Sequence, residues 1–240
     1  MAITTRAGKG SELTHNDLDT NFTDLRDGVN PLVTGVSGTG IKVDSLGTPV
    51  FGWHDLTGEL SRATAASPPT CSELRSGGKV RVWFYSVGDD SDCVFHVPHD
   101  YVPGTDMHLH AHWTHNGTSI SGNFVINVFT TYAKGHQQAN FSAEIAPTIT
   151  IPGLTIGNCP QYHHRVDEIQ LTSSTPGPNQ LNTNLIEVDG IFLFHFEVAT
   201  IPTITGGTIN EPAIITIDLH YQSSNLATKN KSPSPSFYAV

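Results

Sequence analysis

Basic residues are scarce in this chain: 12 Lys and Arg stand against 22 Asp and Glu, a formal charge of -10. Binding nucleic acid takes clustered cations that neutralise phosphates. The densest basic group here is Lys229 to Lys231, in a Ser/Pro-rich tail, so nucleic acid is not an expected partner. An acidic surface also repels anionic membranes. Long apolar runs are missing: none approaches the ~20 residues of a membrane-spanning helix. Met1 to Arg6 leads into no apolar leader segment, so assembly in a reducing cytoplasm is expected. Cysteine is rare. Cys71, Cys93 and Cys159 are odd in number and widely spaced, which excludes a disulfide framework or a zinc ribbon and leaves inert thiols. No G-x-S-x-G elbow, P-loop or dinucleotide fingerprint occurs. The protein is not expected to be an enzyme.

Charge of either sign is also thin, at 14% of residues against roughly 25% in an average soluble chain. Small neutral polar residues replace it, a surface suited to a rigid assembly. With 240 residues, 37% of them hydrophobic, the chain can bury one large core. A short helix is expected near the N-terminus. Ser11 or Thr14 can cap it, Asp17 and Asp19 suit its first turn, and Leu18, Phe22, Leu25 and Val29 form one apolar stripe. Gly28 and Pro31 stop it. A lone helix this short is marginal in water, so its stripe is expected to pack in an oligomer or on another protein.

Residues 31–78 read as an extended, Gly-rich connector. Candidate strands follow at 79–87, 92–97, 106–115, 121–133, 141–151, 164–173, 183–188, 190–200 and 212–222, rich in β-branched and aromatic residues and separated by Gly, Pro, Asn and Asp. The expected fold is all-β, a jelly-roll-like β-sandwich of about eight to nine strands over 79–222. A C-terminal tail, 223–240, completes the chain. Four segments therefore follow: 1–30, 31–78, 79–222 and 223–240.

The run Ile3-Thr4-Thr5-Arg6-Ala7-Gly8-Lys9-Gly10-Ser11-Glu12-Leu13-Thr14, continued by Asp17-Leu18-Asp19-Thr20-Asn21-Phe22, resembles the opening segment of many bacteriophage tail-fibre and virion structural proteins. Those share a GKGSxLTxxELDxNF pattern, and Asp17 stands where Glu is common. Residues 95–106 and 108–113 are similar, more loosely, to domains of phage structural proteins. The resemblance implies that 1–30 attaches the protein to other virion proteins of the capsid or tail. It also implies a homo-oligomer, commonly a trimer, located in the virion. Head decoration or cement protein and short fibre are both open. A receptor- or glycan-binding fibre contacting the host surface is the alternative; it predicts exposed aromatics, with Trp53, Tyr101, Trp113 and Tyr162 as candidates.

Histidine is abundant, at 13 residues. Alternate residues of a strand share a face, so Asp106, His108, His110, His112 and Thr114 line one side of the 106–115 strand. Met107, Leu109, Ala111 and Trp113 line the core side. In 190–200 the core residues are Phe192, Phe194, Phe196 and Val198, with His195 and Glu197 opposite. In 212–222 they are Ile215, Ile217, Leu219 and Tyr221, with Asp218 and His220 opposite. Neighbouring strands would bring these histidines and acids onto one surface. Three readings stay open for the row: a neutral subunit interface, which we favour; a structural metal site, as the resemblance to fibre shafts with His-x-His implies; and a cupin-like metal-dependent enzyme. The last needs a carboxylate shortly after His-x-His, and 111–118 contains none. No other cofactor is expected.

Overall fold

In the computed structural model, residues 42–43, 49–62, 68–136 and 138–224 are described below. The expected helix with Leu18, Phe22, Leu25 and Val29, and the tail from 225 onward, lie outside the described residues. The chain divides into two units, 53–223 and the remainder. In the smaller one, β1 (Lys42–Val43) and β2 (Pro49–Val50) pair antiparallel.

The larger unit is all-β. In chain order its strands are β3 (Gly52–Gly58), β4 (Ser61–Arg62), β5 (Thr70–Glu73), β6 (Arg81–Phe84), β7 (Asp90–His96), β8 (His108–Thr114), β9 (Ser119–Ala133) and β10 (Thr148–Thr155). They continue with β11 (Arg165–Gln170), β12 (Thr172–Ser173), β13 (Leu181–Asn182), β14 (Ile191–Thr200), β15 (Thr203–Thr205) and β16 (Ala213–Ser223). Two of them, β12 and β13, pair parallel in a sheet of their own, and the other twelve build two 6-stranded sheets. One runs β10-β9-β14-β7-β4, with β15 also on β9. The other runs β11-β8-β16-β6-β5, with β3 also on β16.

Eight of these strands form nested antiparallel pairs: β9 with β10, β8 with β11, β7 with β14, and β6 with β16. A chain folded back on itself and then rolled so that the nested pairs alternate between two sheets is a jelly roll. Cross-links β14–β9 and β16–β8 close each sheet. The expected fold class is therefore present, with short strands added at the sheet margins.

The alternation that marks the strands also builds the core. Phe192, Phe194, Phe196 and Val198 of β14 and Phe124, Ile126 and Val128 of β9 face Leu109, Ala111 and Trp113 of β8, all buried in one cluster. Trp113 and Phe124 meet edge to face across the sheets, 5.0 Å between centroids, a preferred aromatic geometry. The free cysteines Cys93 and Cys159 are buried, and burial pushes the Cys93 thiol up to about 11.

Three local expectations need correction. The 183–188 segment is a 3₁₀ turn, Thr183–Leu185, capped by the Asn182 side chain. Ile215 is not a core residue: a register shift between Ile214 and Thr216 inserts one extra residue, a bulge that reverses the alternation. Ile214 is buried and Ile215 is 44% exposed. Finally, 52–58 and 70–73, read as connector, are strands of the second sheet. Gly58 permits this, because a Cβ there would run into Cys93 Sγ and the Phe95 ring. Among the described residues no helix is long and apolar enough to cross a membrane.

Candidate functional site

The outer face of the second sheet carries the histidine row. Antiparallel register places residues directly opposite one another on the same face. Glu168 of β11 thus lies opposite His110 of β8, and His110 opposite Asp218 of β16. On one side of this row stand Val166, His112 and Thr216; on the other, Gln170, His108 and His220. The strand β3 adds Trp53 and Asp55.

The contacts are short. His110 Nδ1 is 3.0 Å from Asp218 Oδ1, and His110 Nε2 is 3.0 Å from Glu168 Oε2. His112 Nε2 is 2.6 Å from Asp218 Oδ2, and its Nδ1 is 2.9 Å from His164 Nε2. His220 Nδ1 lies 3.1 Å from His110 Nε2, with its other nitrogen 3.5 Å from Asp55 Oδ1. The Trp53 ring meets His220 and His108 edge-on, at 4.9 and 5.4 Å.

Burial and charge compete at each group. Burial alone would raise Asp218, but the closeness of His110 and His112 outweighs it and holds the carboxyl at about 2. Burial would lower His110, yet Asp218 and Glu168 raise it. His220 is lowered to about 4 by burial and then by the neighbouring His110. Asp55 is raised by burial and then by Asp218. His164 is lowered by burial, then by His112 and His163. The face is thus a ladder in which imidazoles and carboxylates alternate across strands.

The row His108, His110 and His112 shares a face with Asp218 and His220, as the alternation requires. His195 does not join them. It lies on the other sheet, its Nδ1 2.8 Å from Asp92 Oδ1, because β14 pairs with β7 and β9 rather than with β8. Sequence reasoning missed Glu168, Asp55 and His164 as partners of the row. Asp55 sat in the segment read as connector, and His164 read as a solvated loop residue. Of the candidate surface aromatics, Trp113 and Tyr101 are buried, at 0% and 2% exposure. Tyr162 has Arg75 stacked over its ring at 3.7 Å, and Trp53 is half-buried on the histidine face.

The row also differs from a cupin centre. The inward side of β8 is packed with Leu109, Ala111 and Trp113, so the imidazoles project away from the sandwich interior. A second histidine group surrounds Asp189, whose backbone is left-handed (φ 61). His96, His99 and His136 place Nε2 at 3.3, 2.9 and 2.8 Å from its carboxylate, all on exposed side chains. His136 first, then His99 and His96, lower the Asp189 carboxyl.

Compared with solved structures, the chain is similar to β-sandwich carbohydrate-binding modules. A CBM35 from Cellvibrio japonicus Abf62 is 12% identical, covering 70% of this chain and 98% of that one, with a TM-score of 0.32. A CBM28 module specific for non-crystalline cellulose is 10% identical, covering 72% and 86%, with a TM-score of 0.31. The family 11 module from Clostridium thermocellum, in complex with a mixed-linked tetrasaccharide, is 13% identical, covering 70% and 88%, with a TM-score of 0.27. The likeness is one of all-β sandwich architecture and transfers no residue. No family model and no curated protein matches the chain.

Proposed function

We propose that this chain is a structural protein of a bacteriophage virion: a head decoration, cement or short fibre protein held through its N-terminal segment and assembled as a trimer. The observation that carries the reading is the jelly roll itself, a framework that viral capsid proteins share. Its interior is filled by Trp113, Phe124 and the Phe192–Phe194–Phe196 stack, and its histidine row lies on an outer sheet face. Such a face binds; it does not enclose a reactant. The Gly8-Lys9-Gly10-Ser11 segment and its continuation to Phe22 support the attachment role. Fold alone does not determine function, so the attachment segment is the part to test.

Light scattering of the full chain is expected to return a mass near three times 25.9 kDa. Deleting residues 1–30 is expected to leave a folded oligomer that no longer enters virions. A monomeric full chain, or a β-domain that unfolds on the deletion, would sink the reading.

A second reading is recognition of a host-surface glycan, favoured by Trp53. This half-buried indole stands beside His108 and the buried His220, with the exposed Asp55 two residues further along β3, pairing an aromatic surface with hydrogen-bonding groups. A glycan array probed with the full chain and with Trp53→Ala separates the two. Binding lost in the variant favours this reading, and an array without signal leaves the structural role.

A further inference from the structure

His110 and His112 stand two residues apart on β8 with both rings on the outer face, and Asp218 comes between them from β16. The far nitrogen of each ring is already engaged, His110 Nε2 by Glu168 and His112 Nδ1 by His164. Both carboxylates can only accept; the contact from Nε2 to Glu168 is a hydrogen bond and the one from Nδ1 to Asp218 is not, so in the neutral ring the His110 proton sits on Nε2 and goes to Glu168. His110 Nδ1 then turns a lone pair towards Asp218 Oδ1. In the neutral His112 ring, Nε2 donates to Asp218 Oδ2 and Nδ1 accepts from His164 Nε2, so a metal ion at Nε2 takes the place of that proton. Two ring nitrogens and one carboxylate therefore converge on one point.

A proton serves the His112 side, but the geometry suits a hydrogen bond poorly on the His110 side. Asp218 Oδ1 is buried and has no hydrogen-bond partner among the described residues, although His110 Nδ1 is only 3.0 Å away. The two atoms are close and out of line for a hydrogen bond. A metal ion has no such linear requirement. Ligand atoms at ~2.0–2.2 Å from a shared tetrahedral ion stand ~3.3–3.6 Å from one another, so on binding the 3.0 Å His110–Asp218 contact opens by a few tenths and the 2.6 Å His112 contact by ~0.7–1 Å. All three ligand atoms lie within 4.8 Å of one another. Glu168 behind His110 is the carboxylate that orients a metal-binding imidazole and raises its basicity. His112 is 18% exposed, so a further coordination position opens outward. The neighbouring trio of Asp55, His110 and His220 is equally compact, but His220 meets His110 at Nε2, the nitrogen that Glu168 already holds.

We propose that His110 Nδ1, His112 Nε2 and the Asp218 carboxylate bind one divalent first-row transition metal ion, of the zinc class, within a single chain. Two imidazoles and one carboxylate suit zinc, cobalt, nickel or iron over calcium or magnesium. The ion would tie β8 to β16 across the outer face. The site lies within one chain, so it stands or falls separately from the virion reading.

The test uses the full chain, dialysed against a chelator and titrated with Co²⁺, then Zn²⁺. The expected result is one Co²⁺ per chain with a visible absorption band, displaced by Zn²⁺, and a raised melting temperature. Glu168→Gln alters a partly exposed side chain outside the ligand set and is expected to weaken binding about 10–100-fold. Asp218→Asn is expected to abolish the Co²⁺ band, and Asp189→Asn, at the other histidine group, to leave it unchanged. Absence of Co²⁺ and Zn²⁺ binding at micromolar concentration overturns the proposal. So does a band that survives both Glu168→Gln and Asp218→Asn or disappears in Asp189→Asn. Glu168→Gln decides the matter if Asp218→Asn does not fold.

Discussion

Replacing Trp113 by alanine is expected to cost about 3–5 kcal/mol of stability, the range for deleting a buried aromatic side chain, out of the roughly 5–15 kcal/mol that holds a domain together. Trp113 is fully buried. It contacts Phe124 across the sheets, and its Nε1 donates to Asp167 Oδ2 at 2.7 Å. That carboxylate is also held by Arg165, whose Nη2 is 2.9 Å from Oδ1. Truncation therefore leaves a cavity at the centre of the sandwich and removes one of several donors from Asp167. Trp113→Phe separates the two losses: it keeps most of the apolar contact and gives up only the hydrogen bond, for about 1–2 kcal/mol. Urea unfolding followed by far-ultraviolet circular dichroism measures both. A Trp113→Ala variant within about 1 kcal/mol of the parent would show that the sheets are not held together at this contact.

Acid is expected to loosen the protein in two stages, read as unfolding free energy against pH on chelator-treated protein. His220 governs the first stage. Burial, and then His110 beside it, hold His220 at about 4 in the folded chain, below the ~6.5 of an unfolded histidine. His108 also faces it, while Glu168 and Asp218 pull the other way, and Asp55 stands 3.5 Å off. Above the unfolded value the ring is neutral in both states. As pH falls from there towards 4, the unfolded chain takes up a proton that the folded chain refuses. Stability is lost at up to ~1.4 kcal/mol per pH unit. His110 has the opposite sign: its raised folded value supplies stability that is fully present at acid pH and lost as pH rises above the histidine range. Asp218, held at about 2, governs the second stage, contributing stability above the ordinary carboxyl range that disappears as pH falls towards 2. His220→Asn is expected to flatten the first stage and leave the second. An unchanged pH profile in that variant would place the loss elsewhere.

The all-β class and the core faces were legible from residue order because strand alternation is a local property. Leu109, Ala111 and Trp113 face inward and His108, His110 and His112 outward for the single reason that the side-chain period of a strand is two. The same reasoning held for Phe192, Phe194, Phe196 and Val198. It failed at Ile215, where one inserted residue reversed the alternation. Bulges depend on how a strand fits two neighbours at once, which no window along one strand records. It failed again at 52–58. Trp53 and Asp55 lie in a segment whose glycines and short apolar pieces read as a connector, and only the open side of β16 makes that segment a strand.

The chain's own order determined which imidazoles stand together on β8, and that they stand opposite a packed apolar face. The tertiary structure decided what they meet. Glu168 lies 58 residues from His110 in sequence, and Asp218 lies 106 from His112. No acid follows the histidines closely, so a search for local spacing found none. The carboxylates arrive through the pairing of β8 with β11 and β16, and His195 departs to the other sheet through the pairing of β14 with β7 and β9. Strand partnership is settled by the closure of long loops and the burial of whole sheet faces, and these are properties of the assembled fold that no single segment carries.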